Sequence, residues 1–205
     1  RLGDLPAGDL RGVLADDPAG GVTQYGYDAR DRLVAVKDPI NLTTAYVYDG
    51  LGNLTQLASP DTGISTFVPD AADNVVGSTD ARGMATSHAY DALNRQTLTA
   101  FVGGSVALEY DNVATGGAYA RGRLTRVTDP SGSTAYSYDA QGRVLSKQQT
   151  VGVDASARSF SVGYQFAAGR MTGITYPSGR SLSYAFDAQG RISGVTVAGQ
   201  TVLTG

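Results

Sequence analysis

The chain has no cysteine and no tryptophan, a single histidine, almost no lysine and no long apolar run. Without cysteine there are no disulfide staples and no thiolate metal sites. Charged residues make up only 17%, well under the usual quarter, and the formal charge of −3 leaves no basic stripe for a nucleic-acid backbone. No apolar stretch approaches membrane-spanning length, so insertion of this segment into a membrane as a helix is excluded. No signal peptide opens the chain, and Arg1 stands where an initiator Met would. A piece of a longer protein is therefore expected.

What is present is equally one-sided. There are 27 glycines and 12 tyrosines in 205 residues, with many Thr, Ser and Val. A hydrophobic fraction of 41% is too high for a disordered chain. β-branched and aromatic residues between glycine-rich punctuation make strands and turns, so the fold class is all-β.

A period organises the sequence. Arg32, Asn53, Asn74 and Arg95 are spaced by 21 residues, and Arg123, Arg143, Arg170 and Arg191 continue the series with two insertions. Stepping back by one period lands on Arg11 and on Asp17-Pro18-Ala19-Gly20, so a degenerate unit is expected over the first two dozen residues. The result is one continuous array over residues 1–205, of about nine units, with insertions near 112–121 and 147–159. Both insertions are polar and rich in small residues, and both are expected to be loops.

Each unit carries two turn signals. The first is Asp-x-x-Gly, as in Asp49-Gly50-Leu51-Gly52, Asp139-Ala140-Gln141-Gly142 and Asp187-Ala188-Gln189-Gly190. The Asp carboxylate accepts backbone N–H groups ahead of it, and the fourth slot needs a left-handed backbone. Where Gly is missing, that slot holds Asp31, Asp73 or Asn94, the types that best tolerate the conformation. The second signal is Asp-Pro-x-Gly or a relative, as at Asp129-Pro130-Ser131-Gly132, Tyr176-Pro177-Ser178-Gly179 and Asp38-Pro39-Ile40-Asn41.

Between turns lie strand-length runs. One ends in two aromatic residues spaced by two, hence on one face: Tyr25/Tyr27, Tyr46/Tyr48, Tyr136/Tyr138, Tyr164/Phe166 and Tyr184/Phe186. The returning run has an aliphatic residue at its start, such as Leu124, and another three positions later, such as Val127. That spacing breaks strict alternation and fits a bulge, or partial cover on both faces.

The form Tyr-Asp-x-x-Gly-Arg-aliphatic resembles the YD repeat of the Rhs family. Tyr138-Asp139-Ala140-Gln141-Gly142-Arg143-Val144 matches it fully, and Phe186 to Ile192 matches with Phe for Tyr. The resemblance covers essentially the whole chain. It implies an antiparallel strip of β-hairpins that curves into a spiralling shell. In bacterial Rhs proteins and insecticidal toxin-complex components, that shell encloses a C-terminal toxin. Related repeats occur in wall-associated bacterial proteins and in teneurins. The implied role is a structural wall segment, secreted or at the bacterial cell surface. The implied partners are the rest of the shell and the enclosed toxin. The family's self-cleaving core segment is not found here.

The turn Asp recurs wherever the turn is rebuilt, whereas a glycosidase carboxylate pair occurs once, so turn structure is favoured. The Asp/Gly clusters follow neither EF-hand nor Asp-Gly β-helix spacing, so no metal is assigned. His88 occupies the aromatic slot of other units and stands in for Tyr. The repeated Arg is read as a partner for the turn. The Tyr ladder is read as packing, with a carbohydrate- or protein-binding surface at Tyr46, Tyr48, Tyr136, Tyr138 and Tyr184 as the alternative. No catalytic residue and no cofactor are assigned, because no nucleophile–base pair emerges.

Overall fold

A computed structural model describes residues 13–16 and 21–204. Among them are 18 strands and one short helix. The chain forms two compact units, Arg1–Gly103 and Gly104–Gly205. The degenerate first unit lies largely outside the described residues, its Asp17-to-Gly20 turn and Arg11 included; within it, Val13–Asp16 is strand β1.

In the first unit the remaining strands are β2 (Val22–Tyr27), β3 (Leu33–Lys37), β4 (Thr43–Tyr48), β5 (Leu54–Ser59), β6 (Gly63–Pro69), β7 (Val75–Thr79), β8 (Ala85–Tyr90) and β9 (Gln96–Phe101). Each is antiparallel to the next in sequence, from β1 to β9. The second unit repeats the plan. Its elements are β10 (Gly104–Tyr110), α1 (Val113–Gly116), β11 (Leu124–Asp129), β12 (Gly132–Tyr138), β13 (Val144–Val151) and β14 (Arg158–Ala167). They continue with β15 (Arg170–Thr175), β16 (Ser181–Phe186), β17 (Ile192–Val197) and β18 (Gln200–Thr204). Here too every strand pairs antiparallel with its successor. The all-β hairpin architecture expected from the period is what forms.

The aliphatic spacing has a clear cause. In each first-turn hairpin the register slips by one residue just before the second aromatic. Tyr25 faces Val36 while Tyr27 faces Leu33; Tyr46 faces Leu57 while Tyr48 faces Leu54; Tyr184 faces Val195 while Phe186 faces Ile192. The bulge absorbs the extra residue, so aliphatics three apart share the face of the aromatic pair. Of the two readings left open by the spacing, the bulge is the one built. Each such cross-strand pair is worth ~0.2–1 kcal/mol over Ala–Ala.

The opposite face is more exposed, made of small residues in β8 and carrying aliphatics such as Val47, Ile64 and Val68 in β4 and β6. Along β8, Thr86, His88 and Tyr90 are half-buried, while Ala85, Ser87 and Ala89 on the other side are exposed. Among the described residues a conventional core is therefore almost absent: of the apolar side chains only Ala45, Ala58 and Ala120 are buried. Stability is spread along the array, hairpin on hairpin.

The insertions differ from the expected loops. In 112–121 the chain forms α1, whose N-cap Asn112 accepts the N–H groups of Ala114 and Thr115 and donates its own amide to Glu109 at 2.7 Å. Gly116 of this turn lies so close to Ala120 and Thr125 that a Cβ there would sit 2.6 Å from the Thr125 methyl. Thr125 and Ala120 are fully buried, and Thr125 donates its hydroxyl to the Glu109 carbonyl. Capping and close packing thus turn a loop-like sequence into a helical turn. In 147–159 most of the insertion extends the flanking strands. Ser146 pairs with Gly163 and Val151 with Arg158, and the hairpin closes over Asp154 to Ala157. Its polar side chains can face water on both sides of a lengthened hairpin, and Thr150 and Ser159 hydrogen bond across it at 2.8 Å.

Candidate functional site

The recurrent constellation is the hairpin tip. At Asp139 one carboxylate oxygen accepts the backbone N–H groups of Gln141 and Arg143 at 2.9 Å each, and the other accepts Nε of Arg143 at 2.7 Å. Gly142 donates its N–H to the Asp139 carbonyl, and Asp139 donates its own to the Arg143 carbonyl. The same bonds recur at Asp28, Asp91 and Asp187. The fourth slot is left-handed in every case, with φ of 58° at Asp31, 63° at Asp73, 58° at Asn94 and 82° at Gly142. The substitution pattern at that slot therefore follows backbone conformation, as the residue types imply.

Two turn signals that look different in sequence converge on this geometry. Asp38 and Asp80 also accept the N–H groups two and four residues ahead, and Asn41 and Gly83 are left-handed with φ of 69° and 77°. Tyr176 keeps the backbone bonds without a carboxylate. Asp129 differs: it pairs directly with Gly132 in a two-residue turn.

N–H donation holds the carboxyls of Asp28, Asp49, Asp70, Asp80, Asp91, Asp139 and Asp187 below the usual range. The backbone N–H four residues on is the largest cause at Asp28, Asp49, Asp91 and Asp187, and the Asn74 side-chain amide is the largest at Asp70. At Asp139 desolvation pushes upward and is outweighed by the bonds from Arg143. The carboxylates are ionised turn pins, already saturated with donors, and unsuited to proton transfer.

The repeated Arg does more than partner its own turn. Arg32 also donates from Nη1 to the carbonyl of Asp49, in the next hairpin tip, at 3.0 Å. Its guanidinium carbon lies 4.8 Å from the ring centre of Tyr48, and the Tyr48 hydroxyl donates back to the Leu33 carbonyl at 2.9 Å. Arg143 lies 4.3 Å from the Phe166 ring centre, Arg123 lies 5.6 Å from that of Tyr138, and Arg170 lies 5.6 Å from that of Phe186. The Tyr138 hydroxyl donates to Leu124, and the Tyr90 hydroxyl donates to Val75. Burial, then the Tyr136 phenol, raises the Tyr138 pKa against the pull of Arg123. Tyr48 and Tyr138 are thus held by the preceding hairpin, beneath its cation and against its backbone, and Tyr90 against its backbone.

Asn takes over this task in two units. Asn53 donates to Asp49 in its own turn at 3.2 Å and to the Asp73 carboxylate of the next at 2.8 Å. Asn74 bonds Asp70 and then Asn94 in the same way. This reach into the next tip was missed at the level of sequence, where only the bond to the local Asp was anticipated. The recurrence of long donors at the slot was the available signal.

The other singled-out residues are placed as follows. His88 holds the aromatic slot, facing Thr99, with its Nδ1 3.2 Å from the Thr99 hydroxyl and 3.1 Å from the Gln96 amide. Gln96 and Thr99 replace the usual aliphatic pair, so this hairpin exchanges an apolar cluster for a polar trio. Tyr46, Tyr136 and Tyr184 lie half-buried along the aromatic face, as do Tyr48 and Tyr138. No group of three or more potential metal ligands occurs among the described residues. No helix among them is long and apolar enough to cross a membrane.

An array of antiparallel hairpins, most of them pinned by an Asp at the tip and several stapled by Arg or Asn to the next, defines a β-hairpin repeat protein. Residues 5–39, 28–64, 70–106, 119–153 and 167–202 match the family model described as RHS Repeat. This chain belongs to the RHS repeat family. Among curated protein sequences no relative matches it. Solved structures do. The Photorhabdus luminescens Tc holotoxin pore with a mutated TccC3 is 18% identical over 91% of this chain and 12% of that one, with a TM-score of 0.58. TcdB2-TccC3 without its hypervariable C-terminal region is 17% identical over 87% and 12%, at 0.56. TcdB2-TccC3-TEV is 16% identical over the same shares, at 0.54. These likenesses establish a common fold, and the chain spans only 12% of the proteins it matches. The family matched is a repeat, and no catalytic family is indicated.

Proposed function

We propose that this chain is a wall segment of an RHS shell that encloses a C-terminal toxin within a secreted or surface-delivered bacterial protein. One observation carries the reading: the distinctive residues of the repeat are consumed in building the array. Asp139 pins its turn, Arg143 reaches the next hairpin, and Tyr138 is held by the previous one. Nothing of the motif is left over for chemistry of its own. Residues 1–205 act as one continuous array, and its partners are the remaining shell and the enclosed cargo. The fold shared with TcdB2-TccC3, one of whose structures lacks a hypervariable C-terminal region, supports the assignment.

Limited proteolysis of the parent protein tests this. The segment C-terminal to the shell should resist protease until the repeats unfold. Cleavage at the rate of the same segment expressed alone would refute enclosure. The rival, a glycan- or protein-binding face, needs open rings. Tyr48 and Tyr138 have cations against theirs, which leaves Tyr46, Tyr136 and Tyr184 for a glycan array.

A further inference from the structure

Function in a repeat protein is best sought where the repeat is broken without internal compensation. The position facing the first aromatic of each hairpin is aliphatic at Val36, Leu57, Val127, Ile174 and Val195, and neutral polar at Ser78 and Thr99. In one hairpin it is Lys147, facing Tyr136 on one side and Val162 on the other. The chain has only two lysines. Thr99 is compensated, since it bonds His88 and Gln96. Lys147 is not: the residue is half-buried, and its ammonium has no hydrogen-bond or ion-pair partner among the described residues.

Around it lies a groove of about 330 Å³, lined by Tyr136, Val144, Lys147, Tyr164, Phe166 and Met171. No acidic side chain lines it. Arg143, against the Phe166 ring, is already neutralised by Asp139. A cation set among rings and aliphatic groups lacks only an anion, and the surrounding surface favours an apolar or aromatic neighbour for that anion. The groove is open to solvent. A small ligand would be enclosed on one side only, whereas an extended chain lays several side chains along such a trough.

We propose that this groove binds an extended polypeptide segment carrying a carboxylate and an aromatic side chain on the same face, with the carboxylate paired to Lys147. The assignment stands independently of the shell reading. It requires only the folded chain.

Fluorescence anisotropy of a labelled peptide containing Phe-Ser-Glu-Ser-Phe, titrated with the intact chain, tests it. Saturable binding is expected, weakened about tenfold or more when the peptide Glu is replaced by Gln. K147M should weaken it by a similar factor, and K147R should retain affinity within about threefold, since charge rather than shape is the requirement. The peptide-side change leaves the protein untouched, so a misfolded K147M does not rescue the proposal. Equal affinity for the Glu and Gln peptides, or no saturation, overturns it. Phenylacetate binding as tightly as the peptide also overturns it, because a small aromatic acid would then be the occupant.

Discussion

The Arg-braced tips at Asp28 and Asp139 and the Asn-braced tips at Asp49 and Asp70 solve one problem with different chemistry. Arg32 and Arg143 form charge-assisted pairs with their own Asp at 2.7 Å and 2.6 Å, and each lays its cation against a ring of the next hairpin. Asn53 and Asn74 carry no charge and are too short to reach a ring, so they bond the side chain at the left-handed slot of the next tip, Asp73 or Asn94. The slot therefore demands a donor that serves two turns at once, and charge is incidental to it. Arg123 and Arg170 complete the comparison. Arg123, whose turn Asp111 is separated from it by the inserted segment, and Arg170, whose tip has no Asp, both lie over the next tip, where a Cβ placed at Gly142 or Gly190 would collide with them.

The comparison is broken most severely at those glycines. Gly190→Ala and Gly142→Ala combine a left-handed backbone with displacement of the arginine above, and should each cost about 1–3 kcal/mol in urea unfolding. Gly52→Ala has the same backbone strain but meets only Arg32 Nη1 at 3.9 Å, and should cost visibly less. Equal losses at all three would remove the arginine from the account. Next in size, Tyr138→Phe and Tyr48→Phe each delete one hydroxyl donor to the preceding hairpin, for about 1 kcal/mol. The native Phe166 and Phe186 already lack that bond, and Phe186→Leu should instead report the loss of a ring from Arg170.

Acid gives a smaller and more graded effect. The folded carboxyls are depressed, so their contribution is present above the unfolded pKa near ~3.9 and is lost as pH falls through the folded value. The thermal midpoint should hold to about pH 4 and decline below it. Asp139→Asn should flatten that decline. The smallest effect is expected from Asn53→Arg, which swaps one brace for the other. It should leave the midpoint nearly unchanged in low salt and make it slightly more salt-sensitive.

Legibility in the sequence followed physical range. Asp31, Asp73 and Asn94 betrayed the left-handed slot because that constraint is local to one residue. The Leu124/Val127 spacing narrowed the strand to a bulge or double cover because it lies within one strand, and the register of the partner strand decided between them. What Arg143 touches beyond its own turn was not legible, since it depends on where strand pairing sets the next hairpin. Lys147 drew no notice for the same reason: its residue type means little until the register places it against Tyr136 and Val162. Asn112 looked like loop polarity, because a cap is recognised by the backbone it serves.

The staples have a direction, and it bears on how the chain folds. Each joins a cation, amide or carbonyl to a hairpin later in sequence: Leu33 to Tyr48 across 15 residues, Leu124 to Tyr138 across 14, Arg32 to Asp49 across 17, Asn53 to Asp73 across 20. Such short separations make loop closure cheap and folding fast for an all-β chain. As the polypeptide leaves the ribosome, each hairpin finds its docking platform already made by its predecessor. Growth from the N-terminal side, like a zipper closing, is the order these staples favour.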